Sequence, residues 1–448
     1  MKIAFIPIDN RPVCYNLAVD IAAIDEDIEL LVPPREYLGS LTKNADVDNL
    51  FEWFKNLSDV DKVILSLDTV AYGGLIPSRR STDSEETIKQ RVLRFRSEWV
   101  KKKAKVLAFS SIMRISNNNY NEEEKEYWKD YGTKIFEYSF NTHKCNLKNF
   151  GSPIQNLIPR NILNDYLATR QRNFNINKMY LEWQKLGFFD ELIFSKDDCA
   201  EYGFNVKEAN ELSKAGGKVI TGADEIPISL LSRAIDKKMS VQIIFTEPEY
   251  KHLISNYEDV SIENSVKNQL KLANVEINDK DADIVLIVNN FKDHQGEIVM
   301  KRPTELFSDS ILLPDKPYMI ADVRNANGAD NNFVKQFLPN VKLENFYGYS
   351  GWNTSANSLG TLICAAKIKF NAKKYNDNAF KKVQMIRFLD DWAYQANVRQ
   401  QLTQPVDIKS LMKPYEEQIS KILNIQINND YMYPWNRLFE IEVQNASD

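Results

Sequence analysis

Residues 63–75 read VILSLDTVAYGGL: an apolar run rich in β-branched side chains, then Asp68, then the glycine pair Gly73-Gly74. A run of that kind predicts a strand buried on both faces. The stretch after it places Ile88, Val92, Phe95 and Trp99 on one helical face, which supplies the crossover of a strand-helix-strand unit. The same alternation extends in both directions. Strands are predicted at Ile3–Ile8, Glu29–Val32, Val63–Leu67, Val106–Phe109, Leu192–Ser195, Lys218–Thr221, Val241–Thr246, Ile284–Val288, Tyr318–Ala321 and Leu343–Phe346. Strands alternating with helices make an α/β protein with a parallel sheet, open or closed.

The spacing is uneven. The gap from Phe109 to Leu192 is far longer than the others and holds two predicted helices, one around Trp128, Tyr131 and Ile135 and one around Leu163, Tyr166 and Leu167. This reads as a helical insertion, residues 115–188, capping the strand ends. A domain boundary is expected near 240, giving an N-terminal (β/α) domain over 1–240, a second α/β domain over 241–370 and a helical C-terminal brace over 371–448. Two architectures fit. The first eight strands close a (β/α) barrel, or a doubly wound N-terminal domain precedes a smaller flavodoxin-like one.

Composition narrows the function classes. The 448 residues carry a formal net charge of −5, and the densest basic run, Lys101-Lys102-Lys103, ends a predicted helix, so no nucleic-acid footprint stands out. The sequence shows no long apolar stretch and no charged leader, which predicts a cytoplasmic protein with no membrane partner. Cys14, Cys145, Cys199 and Cys364 are scattered without CxxC spacing, and there are three histidines, at 143, 252 and 294. Structural zinc and Ser-His-Asp chemistry are therefore short of material.

Acids recur where the predicted strands finish: Asp9, Asp68, Asp197-Asp198 and Asp224-Glu225. Parallel α/β folds assemble their sites at those ends. In PIDNRP, Asp9 and Arg11 suit a sugar hydroxyl and an anionic group, against a plain Asx-turn. Asp68 precedes Tyr72, a candidate stacking residue, and Arg79; the segment lacks the spacing of a phosphate loop. Side chains adjacent on a strand point to opposite faces, so Asp197 and Asp198 can meet one ligand only if the strand has already ended. Such a doublet suits substrate-assisted glycoside hydrolysis, one acid orienting an acetamido group and the other protonating the leaving oxygen. Asp224 and Glu225 also fit a helix start, with Pro227 in its first turn. Asn327 in ADVRNANGAD and Trp352-Asn353 in GWNTSANS have the composition of a sugar pocket; helix capping by Asp330 or Thr354 is the competing view.

The stretches IPIDNRP, SLDTVAYGGLIPSRR, SSIMRISNNNYNEEEKEYWKDYG, ATRQRNFNIN, FSKDDCAEYGFN, TGADE, ADVRNANGAD and GWNTSANSLG together resemble an uncharacterised bacterial family, domain of unknown function 4127. That resemblance spans residues 1 to about 370 and implies no activity. The Asp-Asp doublet is also similar to the adjacent aspartates of substrate-assisted β-N-acetylhexosaminidases, a likeness of two residues.

The expected function is a glycoside hydrolase acting on a small N-acetylated or acidic sugar. Asp197, Asp198, Asp224 and Glu225 are the candidate acids, and Asp9, Arg11, Asp68, Tyr72, Arg79, Arg114, Asn327, Trp352 and Asn353 the candidate substrate contacts. No cofactor is expected. Two alternatives stay open: a Mg²⁺-dependent hydrolase or phosphotransferase acting on a phosphorylated sugar, since carboxylates without histidine suit a hard cation, and a non-catalytic sugar-binding protein.

Overall fold

Residues 1–145 and 153–445 are described by a computed structural model. Residues 146–152 of the expected insertion and 446–448 of the expected brace lie outside the described residues. Two compact units emerge. One comprises Met1–Asn10, Leu30–Pro227 and Tyr257–Asp259; the other comprises Arg11–Glu29, Ile228–Asn256 and the chain from Val260 onward.

The first sheet has six strands: β1 (Lys2–Ile6), β2 (Glu29–Leu31), β3 (Lys62–Ser66), β4 (Lys105–Ile112), β5 (Glu191–Lys196) and β6 (Lys218–Thr221), in the order β2-β1-β3-β4-β5-β6. Each pairing from β1 to β6 is parallel. All five residues of β3 are buried, as a continuous apolar run sandwiched between helices requires. The second sheet has β7 (Ser240–Phe245), β8 (Glu276–Ile277), β9 (Ile284–Asn289), β10 (Tyr318–Asp322) and β11 (Phe346–Ser350), ordered β11-β10-β9-β7-β8 and parallel throughout. Counted from its own first strand, that is 2-1-3-4-5, the doubly wound order, and the first sheet follows the same order with one strand added.

The closed barrel is therefore overturned. β2 and β6 sit at opposite edges of an open sheet, and β7 pairs within the second sheet. Nine of the ten expected strands recur within a few residues of their predicted bounds. The tenth shifts from Leu343–Phe346 to Phe346–Ser350, because Asn345 N–H closes a turn onto the Lys342 carbonyl. Gly348 at φ 140° disguises the true strand, since an interior glycine reads as a break.

Among the described residues the gap between β4 and β5 holds two α-helices, Trp128–Lys144 and Arg160–Lys185, with a short 3-10 helix, Pro153–Leu157, ahead of the second. The second is the crossover helix as well as part of the insertion. Its Phe174, Ile176, Tyr180, Leu181 and Trp183 pack into the core over the sheet. Ahead of it, Ile135, Tyr138, Leu163, Tyr166 and Phe204 join Met113 and Trp128 in a separate smaller core. The C-terminal region is helical at Asp377–Arg387, continues as a π-helix over Phe388–Val398, and resumes at Lys409–Leu423. It ends in an antiparallel hairpin, Asn429–Met432 with Glu442–Asn445, where the sequence suggested helix alone.

Candidate functional site

Because β1, β3, β4, β5 and β6 are parallel neighbours, the segments that follow them emerge along one edge of the first sheet. Each delivers a polar side chain there: Asp9 after β1, Asp68 after β3, Arg114 after β4, Asp197-Asp198 after β5 and Asp224-Glu225 after β6. Arg79 arrives from the helix Leu75–Arg80, which the glycine pair sets up. Gly73, at φ 88°, ends the helix Leu67–Tyr72 in the left-handed conformation, and Gly74 opens the next helix.

The doublet is held by two guanidiniums. Arg79 Nη2 lies 3.2 Å from Asp197 Oδ2. Arg114 Nη1 lies 3.1 Å from Asp198 Oδ2 and 3.6 Å from Asp197 Oδ2, so both acids meet one nitrogen. Asp198 has left strand geometry altogether, at φ 43°. That left-handed turn, costly for a residue with a Cβ, is what lets adjacent carboxylates face the same cation. The doublet does not cap the next helix, Phe204–Lys214, whose N-cap is Gly203.

Glu123 and Glu124 complete the cluster. Arg114 binds Glu124 Oε1 through Nε at 3.0 Å and Glu123 Oε2 through Nη2 at 2.9 Å, while Arg79 Nη1 lies 3.5 and 3.4 Å from the same two acids. Every nitrogen of Arg114 is thus engaged by the chain's own carboxylates. Arg79 is almost wholly buried, and its Nε has no hydrogen-bond partner among the described residues. Four carboxylates face two guanidiniums, an excess of negative charge that favours a proton on one acid. That acid is Asp198. Burial, followed by the charge of Asp197, pushes it up to about 7, against the pull of Arg114 and Arg79. A third of its side chain stays accessible, so the proton is within reach of a ligand.

Asp68 is buried and accepts from Ser111 N–H at 2.8 Å; burial lifts it to about 6, with Ser111 and Arg79 opposing. Glu225 folds back on its own loop and accepts from Ala223 N–H at 3.0 Å. A side chain on Gly222 would occupy the space of its carboxylate, a Cβ falling 1.7 Å from Oε1. Burial raises Glu225 to about 8, with Asp224 and Glu258 adding to it. Asp259 bonds Lys196 and accepts from Thr221 Oγ1 at 2.6 Å, tying residues 257–259 to the ends of β5 and β6.

Asp9, which follows β1 at the same edge, is buried in the first unit. Tyr72 is buried with Arg172 over its ring at 5.5 Å, and it borders a cleft of about 520 Å³ lined by Asn44, Asp48, Asp83, Arg91 and Arg94. Arg11, Asn327, Trp352 and Asn353 belong to the second unit. Trp352 is buried edge-on against Phe439, which fits packing better than a sugar platform. Asn327 and Asn353 both adopt positive φ, and Asn327 N–H donates to the Asn353 carbonyl at 2.8 Å, so these amides shape turns. Asp330 and Thr354 are helix caps, accepting from Asn332 and Phe333 N–H and from Asn357 N–H respectively.

Sequence reasoning missed Glu123, Glu124 and Ser111. The first two stand in the run NEEEKE, which reads as a solvated charge run; their distance of nine and ten residues from Arg114 was the available signal. Among the described residues no three His, Cys, Asp or Glu side chains converge closely enough to hold a metal ion, and no helix is long and apolar enough to cross a membrane. No curated protein matches the sequence. The family described as protein of unknown function (DUF4127) matches residues 3–444, nearly the whole chain, and the chain belongs to that family.

Proposed function

We propose that the chain is a glycoside hydrolase acting on a small N-acetylated sugar, with Asp198 as general acid and Asp197 as the acid that orients the acetamido group. The observation that carries this reading is the doublet itself: two adjacent carboxylates turned onto one Arg114 nitrogen, one of them accessible and protonated near neutral pH. Asp198 gives its proton to the glycosidic oxygen as the bond from that oxygen to the anomeric carbon breaks. The acetamido oxygen forms the new bond to that carbon while Asp197 accepts from the acetamido N–H. Water then attacks the anomeric carbon, Asp198 takes its proton, and the acetamido group is released. Of the two sugar classes considered, the N-acetylated one is favoured, because Arg79 and Arg114 already face four carboxylates and an acidic substrate would add to the negative charge. The four free cysteines fit the expected cytoplasmic location.

The test is a panel of aryl glycosides, N-acetylhexosaminides and uronides included, run with and without chelator. Turnover of an N-acetylhexosaminide that survives chelator and falls by at least about a hundredfold in Asp198→Asn is the expected result. Turnover unaffected by Asp198→Asn overturns the assignment. Loss in chelator with rescue by Mg²⁺ replaces it with the metal-dependent reading, and tight sugar binding without turnover replaces it with the binding protein.

A further inference from the structure

Two helices of the first unit bring matching faces together. In Arg160–Lys185, Leu167, Arg170, Phe174 and Lys178 follow one another at intervals of three or four residues, the spacing of a single helix face. In Phe204–Lys214, Lys207 and Glu208 stand three and four residues from Phe204, and Glu211 three from Glu208, so these also share a face. Between the two faces lies a cavity of about 400 Å³, a size suited to a small molecule. Its lining is amphipathic. Phe174 and Phe204 are buried and Leu167 is half-buried, which makes the floor apolar, whereas Lys178 and Lys207 are exposed. The Lys178 ammonium lies 4.8 Å from the centre of the Phe174 ring, at the seam between the apolar and the charged parts.

Part of the charge in this lining is unmatched. Arg170 and Glu208 form a largely buried pair, with Nη2 3.0 Å from Oε2 and Nε 2.7 Å from Oε1. Arg170 also donates to the Tyr166 hydroxyl at 3.1 Å and to the Met113 carbonyl at 2.5 Å, so the fold holds it in place. Burial pushes Glu208 up to about 7, with Glu211 adding to it and Arg170 and Lys207 opposing, so near neutrality the pair presents little negative charge to a ligand. Lys178, Lys207 and Glu211 form no ion pair among the described residues. Glu85, which feels the charge of Lys178, is paired with Lys89 at 2.6 Å, and Glu208, which feels Lys207, is paired with Arg170. Two ammoniums against the one carboxylate of Glu211 leave a single positive charge in surplus over an apolar floor. An apolar body carrying one carboxylate complements both features.

We propose that this cavity binds a small monocarboxylate with an apolar body, an aromatic or short-chain aliphatic acid, its head taken by Lys178 and Lys207 and its body by Leu167, Phe174 and Phe204. The site stands apart from the hydrolase reading and survives its failure. It is tested on the full-length chain by calorimetric titration at constant ionic strength with phenylacetate and hexanoate. Three controls dissect the recognition: acetate has the head without the body, 2-phenylethanol the body without the charge, and phenethylamine the opposite charge. Saturable binding of phenylacetate or hexanoate is expected, with every control weaker by roughly tenfold or more. The acid that binds more tightly identifies the aromatic or the aliphatic class. Lys178→Gln combined with Lys207→Gln is expected to weaken that binding by at least about tenfold. The same variant is expected to melt as the parent does in ligand-free buffer, because both lysines are exposed and outside any ion pair among the described residues. Gln171→Trp, at an exposed position of the same lining, fills the cavity and is expected to abolish binding with the charges intact. Three outcomes overturn the proposal: neither acid saturates, either variant binds the acid as the parent does, or 2-phenylethanol binds as tightly as phenylacetate, which makes the cavity an apolar crevice without a site for the head.

Discussion

Asp198 carries the heaviest prediction at the scale of a single residue. Its carboxyl sits at about 7 in the folded chain against an ordinary value of 3.8, so the general-acid role proposed for it requires the protonated form, present below neutrality and lost above it. The kcat/KM profile on a responsive glycoside is expected to fall with a basic limb near pH 7. The charge of Asp197 helps to raise Asp198, and Asp197→Asn removes it, so that limb moves to lower pH; a limb that stays in place refutes this contribution. Glu225 gives a stability counterpart. Its raised value of about 8 means that the folded state keeps a proton the unfolded chain releases near 4.5, so stability is greatest below 4.5 and declines as pH rises towards 8. Glu225→Gln mimics the protonated form, and its thermal melting is expected to depend less on pH across that window than the parent's. The doublet was legible because two acids past a strand end are visible in one dimension. The partners of Arg114 were not, because burial of Glu124 depends on a loop returning to Arg79 and Arg114, and only its short distance in sequence from Arg114 hints at that return.

Elements were the most readable level, since buried parallel strands announce themselves as β-branched runs and crossover helices as amphipathic faces. The failures were those with weak or misleading local signals: β8 is two residues long, β11 contains a glycine, and the C-terminal hairpin follows a helical stretch. Caps were legible in kind but not in use. Asp330 holds more than a cap, since it also accepts from Phe307 N–H at 2.8 Å and lies 3.5 Å from Arg324 Nε, both side chains fully buried. Asp330→Ala therefore removes a cap and one of the two carboxylates facing a buried guanidinium, leaving Glu247 at 2.8 Å from Arg324 Nη2. The expected loss is roughly 3 kcal/mol or more, read from the urea midpoint at unchanged slope. The π-helix Phe388–Val398 had no sequence signature. Two of its carbonyls accept further donors, Asn397 Nδ2 at the Trp392 carbonyl at 2.8 Å and the N–H of Ala329 at the Asp391 carbonyl at 3.0 Å.

For the whole molecule, the notable feature is that neither unit is a continuous piece of chain. Residues Arg11–Glu29 belong to the second unit, where the helix Asn16–Ala22 buries Leu17, Ala18, Ile21 and Ala22, and Asp25 accepts from Lys373 and Lys374 N–H at 3.2 and 3.1 Å. A fragment starting at residue 228 is expected to melt without a cooperative transition, and a peptide spanning 11–29, added in excess, to restore one; a sharp melt of the fragment alone refutes this. The discontinuity was out of reach of pattern reading, because a helix face reports that it is buried and not against what. It also sets an order on biosynthesis. The first unit is not complete until residues 257–259 have left the ribosome, and Arg11–Glu29 makes its hydrogen bonds to residues 373–376 only after these emerge. Until the helices Ser355–Asn371 and Asp377–Arg387 follow, the apolar face of the helix Asn16–Ala22 is without the surfaces it packs against, so its burial is a late, long-range step of folding.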